Sequence, residues 1–451
     1  MNYPTSRAAF TRRALTVLAT GAVIGVTLAA CSGGGGGDTA APGSDTDVEA
    51  ALEAGGSLTY WSWTPQAESQ VAAFEEAYPN VDVELVNAGT GNDQYTKLQN
   101  AITAGSGAPD VVQIEYGALP QYALSESLLD LTPYGFADLE DDYTASTWSQ
   151  VVFDDKIYGL PQDSGPTALF YNATIFDQYG IEVPTTWDEY LAAAQKLHAA
   201  DPTKYITSDT GDAGFTMTSI WQAGGLPFKT EGTNVTVNLQ DEGTKRWADF
   251  WSQLTENDLV SPVPGWSDDW YRGLADGGVA SLVIGAWMPG VLEGSVPDAA
   301  GDWRVAPVPT WDGTPASSEN GGGGQSVTAQ TENPALAAGF LKWLNNSDES
   351  LKIFTDEGGF PSTNAQLTDP EFLSYESDYF GGQKINEVLG AAAADVIPGW
   401  SYLPFQVYAN SIFGDTAGQA WANKTDLNEG LIAWQDAIIE YGNQQGFTVS
   451  Q

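Results

Sequence analysis

An alternation of strand-like and helix-like segments that begins at Ser57 constrains this chain more than any other feature. The extended stretch Leu58-Thr59-Tyr60-Trp61-Ser62-Trp63 precedes residues 66–78, where Val71, Phe74 and Tyr78 recur at helical spacing, and Val81, Val83 and Leu85 then alternate. Side chains that switch from period 3.6 to period 2 in this way predict strand, helix, strand. A second helical stretch, 93–104, ends in Gly105-Ser106-Gly107 and leads into the buried-strand run Asp110-Val111-Val112-Gln113-Ile114. Helices are also expected over 187–199 behind Thr185-Thr186, over 244–254, 333–344 and 428–441, with another buried strand over 279–285. Together these segments predict an α/β chain with a parallel sheet. No internal repeat of solenoid period is visible.

The pattern runs for almost 400 of the 451 residues, which exceeds what one hydrophobic core usually serves. No linker rich in Pro, Gly and Ser divides it. Two lobes sharing chain crossings reconcile these facts, and residues 160–165 and 319–324 are the expected crossings, because their glycines permit close backbone approach.

The charge balance narrows the partners. Asp and Glu number 59 against 16 Lys and Arg, a formal charge of −43. A reader of duplex nucleic acid gains its affinity from Lys and Arg on phosphates, so no nucleic-acid partner is expected. With 42% hydrophobic and 12% aromatic residues the chain is too apolar for a solvated acidic tail. One Cys and one His cannot build an internal disulfide or a usual zinc site, and no metal or cofactor is expected.

The amino-terminal residues read as an export signal. Arg7, Arg12 and Arg13 precede an uncharged run over 14–30, the layout of a positive segment followed by an apolar one. Arg12-Arg13 is a weak twin-arginine match. Glycines 33–37 and the small, acidic residues after them cannot collapse into a core, so 31–56 is expected to be a flexible tether.

Several matches to catalytic motifs carry little. Asp163-Ser164-Gly165 and Asp209-Thr210-Gly211 superficially resemble the paired loops of aspartic proteases, but those belong to all-β proteins and need apolar flanks. A serine nucleophile at Ser164 would need a base, and His198, the lone imidazole, sits near a helix end where the dipole favours it. Residues 209–214 lack the spacing of a calcium loop and read as a turn. A glycoside hydrolase needs only two facing carboxylates, so it stays an alternative, as does a polysaccharide-binding surface protein.

The 16 tryptophans are more informative. Trp247, Trp251 and Trp343 fall on apolar helix faces and read as core. Trp63 stands at the carboxyl end of the first strand before Thr64-Pro65, Trp287 follows the strand over 279–285, and Trp221 precedes Gly224-Gly225 in a stretch that reads as irregular. In open α/β sheets clefts form beyond strand carboxyl ends, so these three are candidate ligand contacts. An indole face suits the C–H face of a pyranose, while acids and amides satisfy its hydroxyls. Glu115, directly after the strand ending at Ile114, and Asp163, at a crossing, are the acids placed for this, and Asn320 with glycines 321–324 can present backbone donors. An anionic ligand would oppose the negative field, and no arginine cluster is present to offset it.

Ordered segments along the chain resemble a known family. The Leu28-Ala29-Ala30-Cys31 sequence matches a bacterial lipobox. It is joined by the strand opening at Leu58, Gly107-Ala108-Pro109-Asp110-Val111-Val112, Gly159-Leu160-Pro161-Gln162-Asp163-Ser164-Gly165-Pro166 with Phe170-Tyr171-Asn172, Pro184-Thr185-Thr186-Trp187-Asp188-Glu189-Tyr190 and Gly358-Gly359-Phe360-Pro361. In this order they resemble extracellular solute-binding protein family 1, the carbohydrate receptors of ABC importers related to maltose-binding protein. The resemblance implies a two-lobed α/β fold of the type II periplasmic-binding-protein kind, each lobe a sheet flanked by helices. On this reading 1–30 are the lipoprotein signal peptide and 31–56 the tether. Residues 57–163 plus 325–360 form the N-lobe, and 164–324 plus 361–451 the C-lobe.

The implied function is capture of a neutral sugar or oligosaccharide between the lobes and delivery to ABC permease subunits, with no catalysis. The implied setting is the outer face of the cell membrane, where a monomer is anchored through lipid on Cys31. By local match the family's binding positions fall at Trp63, Thr64, Glu115, Asp163, Gly165, Trp221, Trp287 and Gly323 and in the segment containing Phe405 and Tyr408. Trp63 and Thr64 replace the small or charged polar residues of the maltose-binding pattern, which points away from maltose.

Overall fold

The computed structural model describes residues 47–451. The signal segment, Cys31 and most of the tether lie outside the described residues. The strands that position the site are β1 Gly56–Trp61, β2 Val81–Val86, β3 Val111–Glu115, β4 Leu160–Pro161, β5 Thr167–Asn172, β6 Ser281–Gly285, β7 Trp303–Pro307 and β8 Gly323–Val327. One sheet has the order β2-β1-β3-β8-β4, and another has the order β6-β5-β7.

The first sheet is built from the predicted alternation. β1 pairs parallel with β2 and with β3, and the helices Ala67–Ala77 and Asn92–Ala104 make the connections. Val71 and Phe74 on the first of these helices enter a core with Leu58, Tyr60, Val111, Ile114, Phe340 and Leu344. The expectation of a parallel sheet fails beyond this point. β8 runs antiparallel to β3, β4 runs antiparallel to β8, and every pair in the second sheet is antiparallel. Hydrophobic runs report burial on both faces, which both directions provide, and β8 is reversed because its chain re-enters from the other lobe.

The second sheet is covered on both faces, as the period of a strand requires. Leu169 and Val283 enter one core with Trp187, Trp247, Trp251 and Trp434. Ala168, Phe170 and Leu282 enter another with Met288, Trp303 and Phe380. The helices Trp187–Ala200, Glu242–Glu256, Pro334–Asn346 and Leu427–Gln444 lie where apolar spacing predicts them. The first is opened by a capping box of Thr186 and Glu189.

Two expectations need correction. The tether does not extend to residue 56, because Val48–Ala54 is a helix capped by Asp47, with Leu52 buried. It packs on the helix Pro334–Asn346, where a Cβ at Gly339 would lie 2.9 Å from Leu52. Val48 and Leu52, one turn apart in an acidic, small-residue stretch, are too short a pattern to read as a helix. The stretch before Gly224 is not irregular either. Asp212 caps the helix Ala213–Gln222 by accepting the Phe215 amide at 2.8 Å, which buries Trp221.

The two predicted crossings lie side by side. Pro166 bridges to Glu319, and the Thr167 amide donates to the Ser318 carbonyl at 2.8 Å. A third passage joins them, with the Ser164 amide donating to the Phe360 carbonyl at 3.2 Å and Asp163 bridging to Pro361. The glycines serve approach. A Cβ on Gly165 would lie 2.3 Å from the Asn320 oxygen, and one on Gly324 would lie 2.3 Å from the Leu160 oxygen. Backbone must then move, so Gly165→Ala and Gly324→Ala are expected to cost about 1–3 kcal/mol each in chemical denaturation. Gly294→Ala, in an exposed helical position with nothing within 4 Å, is expected to stabilise by about 0.5–1 kcal/mol.

Candidate functional site

The loop that leaves β1 is gathered by one buried side chain. The Gln113 amide oxygen faces Ser62 Oγ at 2.8 Å, the Trp63 amide at 3.0 Å, the Thr64 amide at 3.2 Å and Thr64 Oγ1 at 2.8 Å. Four donors share two lone pairs, and moving the loop would strand a buried acceptor. Trp63 is therefore held at the strand exit, half-buried and edge-on to Tyr95 with ring centroids 6.2 Å apart.

Tyr95 connects the indole to an acid. Its hydroxyl donates to Glu115 Oε2 at 2.8 Å and accepts the Glu115 amide at 3.0 Å. Glu115 is solvent-accessible, yet desolvation by surrounding protein pushes its carboxyl up, with the Tyr95 hydrogen bond working against this.

At the crossings two carboxylates clamp opposite chains. Asp163 Oδ1 accepts the amide of Gly323, which pairs with Glu115 in the sheet, at 2.6 Å. Glu319 Oε2 accepts the Gly165 amide at 2.6 Å, both its oxygens accept Ser164 Oγ at 3.1 Å, and Oε1 accepts Ser146 Oγ at 3.0 Å. Burial lifts the Asp163 carboxyl from 3.8 to about 7. The Gly323 amide opposes the shift, and the Glu319 and Glu115 charges add to it. Burial also raises Glu319. None of the ion pairs among the described residues involves these three acids.

The contacts continue into the second lobe. The Asn320 carbonyl accepts Trp287 Nε1 at 2.7 Å, and its side-chain amide donates to Thr218 Oγ1 at 3.0 Å. Trp287 is half-buried with its ring 5.7 Å from that of Trp266. Trp63, Thr64, Glu115, Asp163, Gly165, Gly323, Asn320 and Trp287 thus belong to one run of contacts across the crossings. Gly165 acts there through its amide and its lack of a side chain.

Three expected contacts are displaced. Trp221 is 1% exposed, donates to the Ile397 carbonyl at 2.6 Å and stacks on Trp400 at 5.0 Å, so neither indole face is open to a ligand. Phe405 is buried against Tyr441 and Phe447, and Tyr408 lies flat on Tyr441. The carboxy-terminal helix takes both, because their spacing follows its docking surface. Tyr402 from the same segment reaches the site instead. It packs against the cores of both lobes, a Cβ on Gly117 would lie 3.7 Å from its ring, and its hydroxyl is raised by burial and then by the Glu319 and Glu115 charges.

Sequence reasoning also missed Gln113, although a polar residue inside an apolar strand was a usable signal, and Tyr402, for which no periodicity gave one. Asp209 is occupied structurally. Its Oδ2 accepts the indole N–H groups of Trp251 and Trp421, each at 2.8 Å. The His198 ring lies 3.1 Å from the Lys204 carbonyl and packs against Tyr205. A cavity of about 810 Å³ lined by Thr132, Glu140, Tyr143, Trp148, Asp155 and Asn364 shares no residue with this site.

Half-buried indoles, accessible and desolvated acid, and crossing chains are the arrangement that a two-lobed receptor needs. Residues 60–350 match the family model described as bacterial extracellular solute-binding protein. The chain belongs to this family. Among solved structures, this solute-binding protein is 45% identical to the ABC transporter-associated binding protein of B. animalis subsp. lactis, determined with beta-1,6-galactobiose. The TM-score is 0.79, over 88% of this chain and 99% of that one. It is 28% identical to the galacto-N-biose-/lacto-N-biose I-binding protein of Bifidobacterium longum, with a TM-score of 0.77 and the same coverages. The arabinooligosaccharide-binding protein of Halalkalibacterium halodurans is 27% identical over 357 residues, 76% of this chain and 79% of the relative. The fold is that of a type II periplasmic binding protein.

The raised Asp163 has a consequence for stability. Its carboxyl is harder to ionise in the fold than in the unfolded chain, so the native protein holds more protons from its ordinary 3.8 up to about 7. Stability from this group is therefore present at the acid side of that window and lost as pH rises through it. Thermal unfolding followed from pH 4 to 8 should show a steeper decline with pH for the wild type than for Asp163→Asn; equal slopes would contradict the shift.

Proposed function

We propose that this solute-binding protein is the extracytoplasmic receptor of an ABC importer and takes up a short neutral oligosaccharide, with galactose-containing disaccharides its foremost class. The observation that carries this reading is the joining of Trp63 and Trp287 through Glu115, Asp163 and the glycine crossing, with no ion pair on these acids among the described residues. Indole faces take the apolar sides of sugar rings, and unpaired carboxylates accept hydroxyl donors while repelling anionic sugars. The relatives support the class, since their names record beta-1,6-galactobiose, lacto-N-biose and arabinooligosaccharides.

The proposed mechanism breaks no bond. Ligand touches both lobes only when they close, so its binding energy shifts an open–closed equilibrium, and the closed form is what permease subunits receive. The lobes in this proposal are 57–163 plus 325–360 and 164–324 plus 361–451. A monomer tethered through lipid on Cys31 would keep the receptor near its permease.

A sugar panel with thermal shift and calorimetry tests the reading. Beta-1,6-galactobiose, lactose and lacto-N-biose are expected to raise the melting temperature by a few degrees at about 100 times Kd, which is worth about 2.7 kcal/mol. A galacturonate disaccharide is expected to have no effect. Trp63→Ala and Trp287→Ala should each weaken binding about 10-fold to 100-fold. Release of monosaccharide during incubation would instead establish the glycoside hydrolase.

A further inference from the structure

Trp266 is 54% exposed, the most open of the large hydrophobic side chains among the described residues. Its backbone is held at φ +66°, the left-handed region that an L-residue with a bulky side chain rarely enters. Gly265 precedes it and could adopt that conformation freely, yet the positive φ falls on the tryptophan. Pro262 and Pro264 stiffen the approach, and Ser267 caps the helix Asp268–Ala275 directly afterwards, its hydroxyl donating to the Pro264 carbonyl at 2.7 Å. The loop thus holds one indole in the open.

Its surroundings fix the direction. The Trp266 ring lies 5.0 Å from that of buried Trp270, whose Nε1 donates to Ser208 Oγ at 2.6 Å, and 5.7 Å from that of Trp287 at a tilt of 33°. Trp287 is itself tied to the Asn320 carbonyl at the crossing. An apolar surface therefore continues from the crossing along Trp287 and out onto Trp266, backed by the buried and hydrogen-bonded Trp270. Strain kept at an exposed side chain, with a buried support behind it, is the pattern of a preorganised contact.

We propose that Trp266 is a second sugar platform beside Trp287, so that the site selects ligands of at least two sugar units. The inference rests on the saccharide-receptor reading above. Trp287 takes the ring nearest the crossing and Trp266 takes the next.

Calorimetry of the full chain with galactose and with beta-1,6-galactobiose tests this, galactose being measured by competition where direct titration is too weak. Trp266→Ala and Trp266→Gly are expected to weaken galactobiose about 10-fold and to leave galactose within about twofold. Trp266→Gly also relieves the left-handed strain, so its melting temperature should equal or exceed the wild type, which separates lost contact from lost folding. Unchanged galactobiose affinity in both variants overturns the proposal and leaves the receptor reading standing. Equal weakening of both sugars also overturns it, since Trp266 would then only buttress Trp287. A wild type that binds neither sugar removes the galactoside reading and this proposal together.

Discussion

Everything that makes this chain more than two packed lobes depends on how its crossings are fastened. Asp163 on one crossing accepts the Gly323 amide of the other, and Glu319 on the second accepts the Gly165 amide of the first, each at 2.6 Å. The arrangement is reciprocal, and none of the ion pairs among the described residues takes part in it. A carboxylate that leaves water needs its hydrogen bonds made, so the amides are held where the acids require them. Charge-assisted bonds of this kind are short and directional, which defines the relative course of two strands that have few side chains between them.

The fastening also shapes the site. Glycines at 165, 323 and 324 bring backbone to backbone, and this puts Glu115, Asp163 and Asn320 within a few bonds of one another. On either side stands an indole with an independent anchor, Trp63 through the Gln113 oxygen and Trp287 through the Asn320 carbonyl. Rigid apolar faces and desolvated acceptors suit a ligand whose rings are apolar on their flats and polar at their edges. The same uncompensated acids make an anionic ligand unfavourable.

Much of this was legible in the chain because periodicity reports burial. The helix Trp187–Ala200 and the first three strands follow from side-chain spacing, and the crossings follow from glycine placement. The positions of Trp63 and Trp287 just beyond strand ends were legible, because each is followed or preceded by residues that stop the strand pattern. Trp221, Phe405 and Tyr408 were misjudged for a common reason: each is an aromatic near glycine or proline, and which core would cover it depended on elements distant in sequence. Trp400 and Ile397 cover the first, and the carboxy-terminal helix covers the other two. Tyr402 and Trp266 went unread because exposure and cross-lobe contact have no local pattern.

The sequence by itself determined the α/β class, the position of the strand exits and the need for close approach at the crossings, since these depend on side-chain period and on the absence of a Cβ. Only the tertiary structure decided strand direction beyond the first three strands, which aromatics face solvent, and which acids share a neighbourhood. Those properties arise from contacts between residues far apart along the chain, and hydrophobicity along one segment has no information about what will be packed against it.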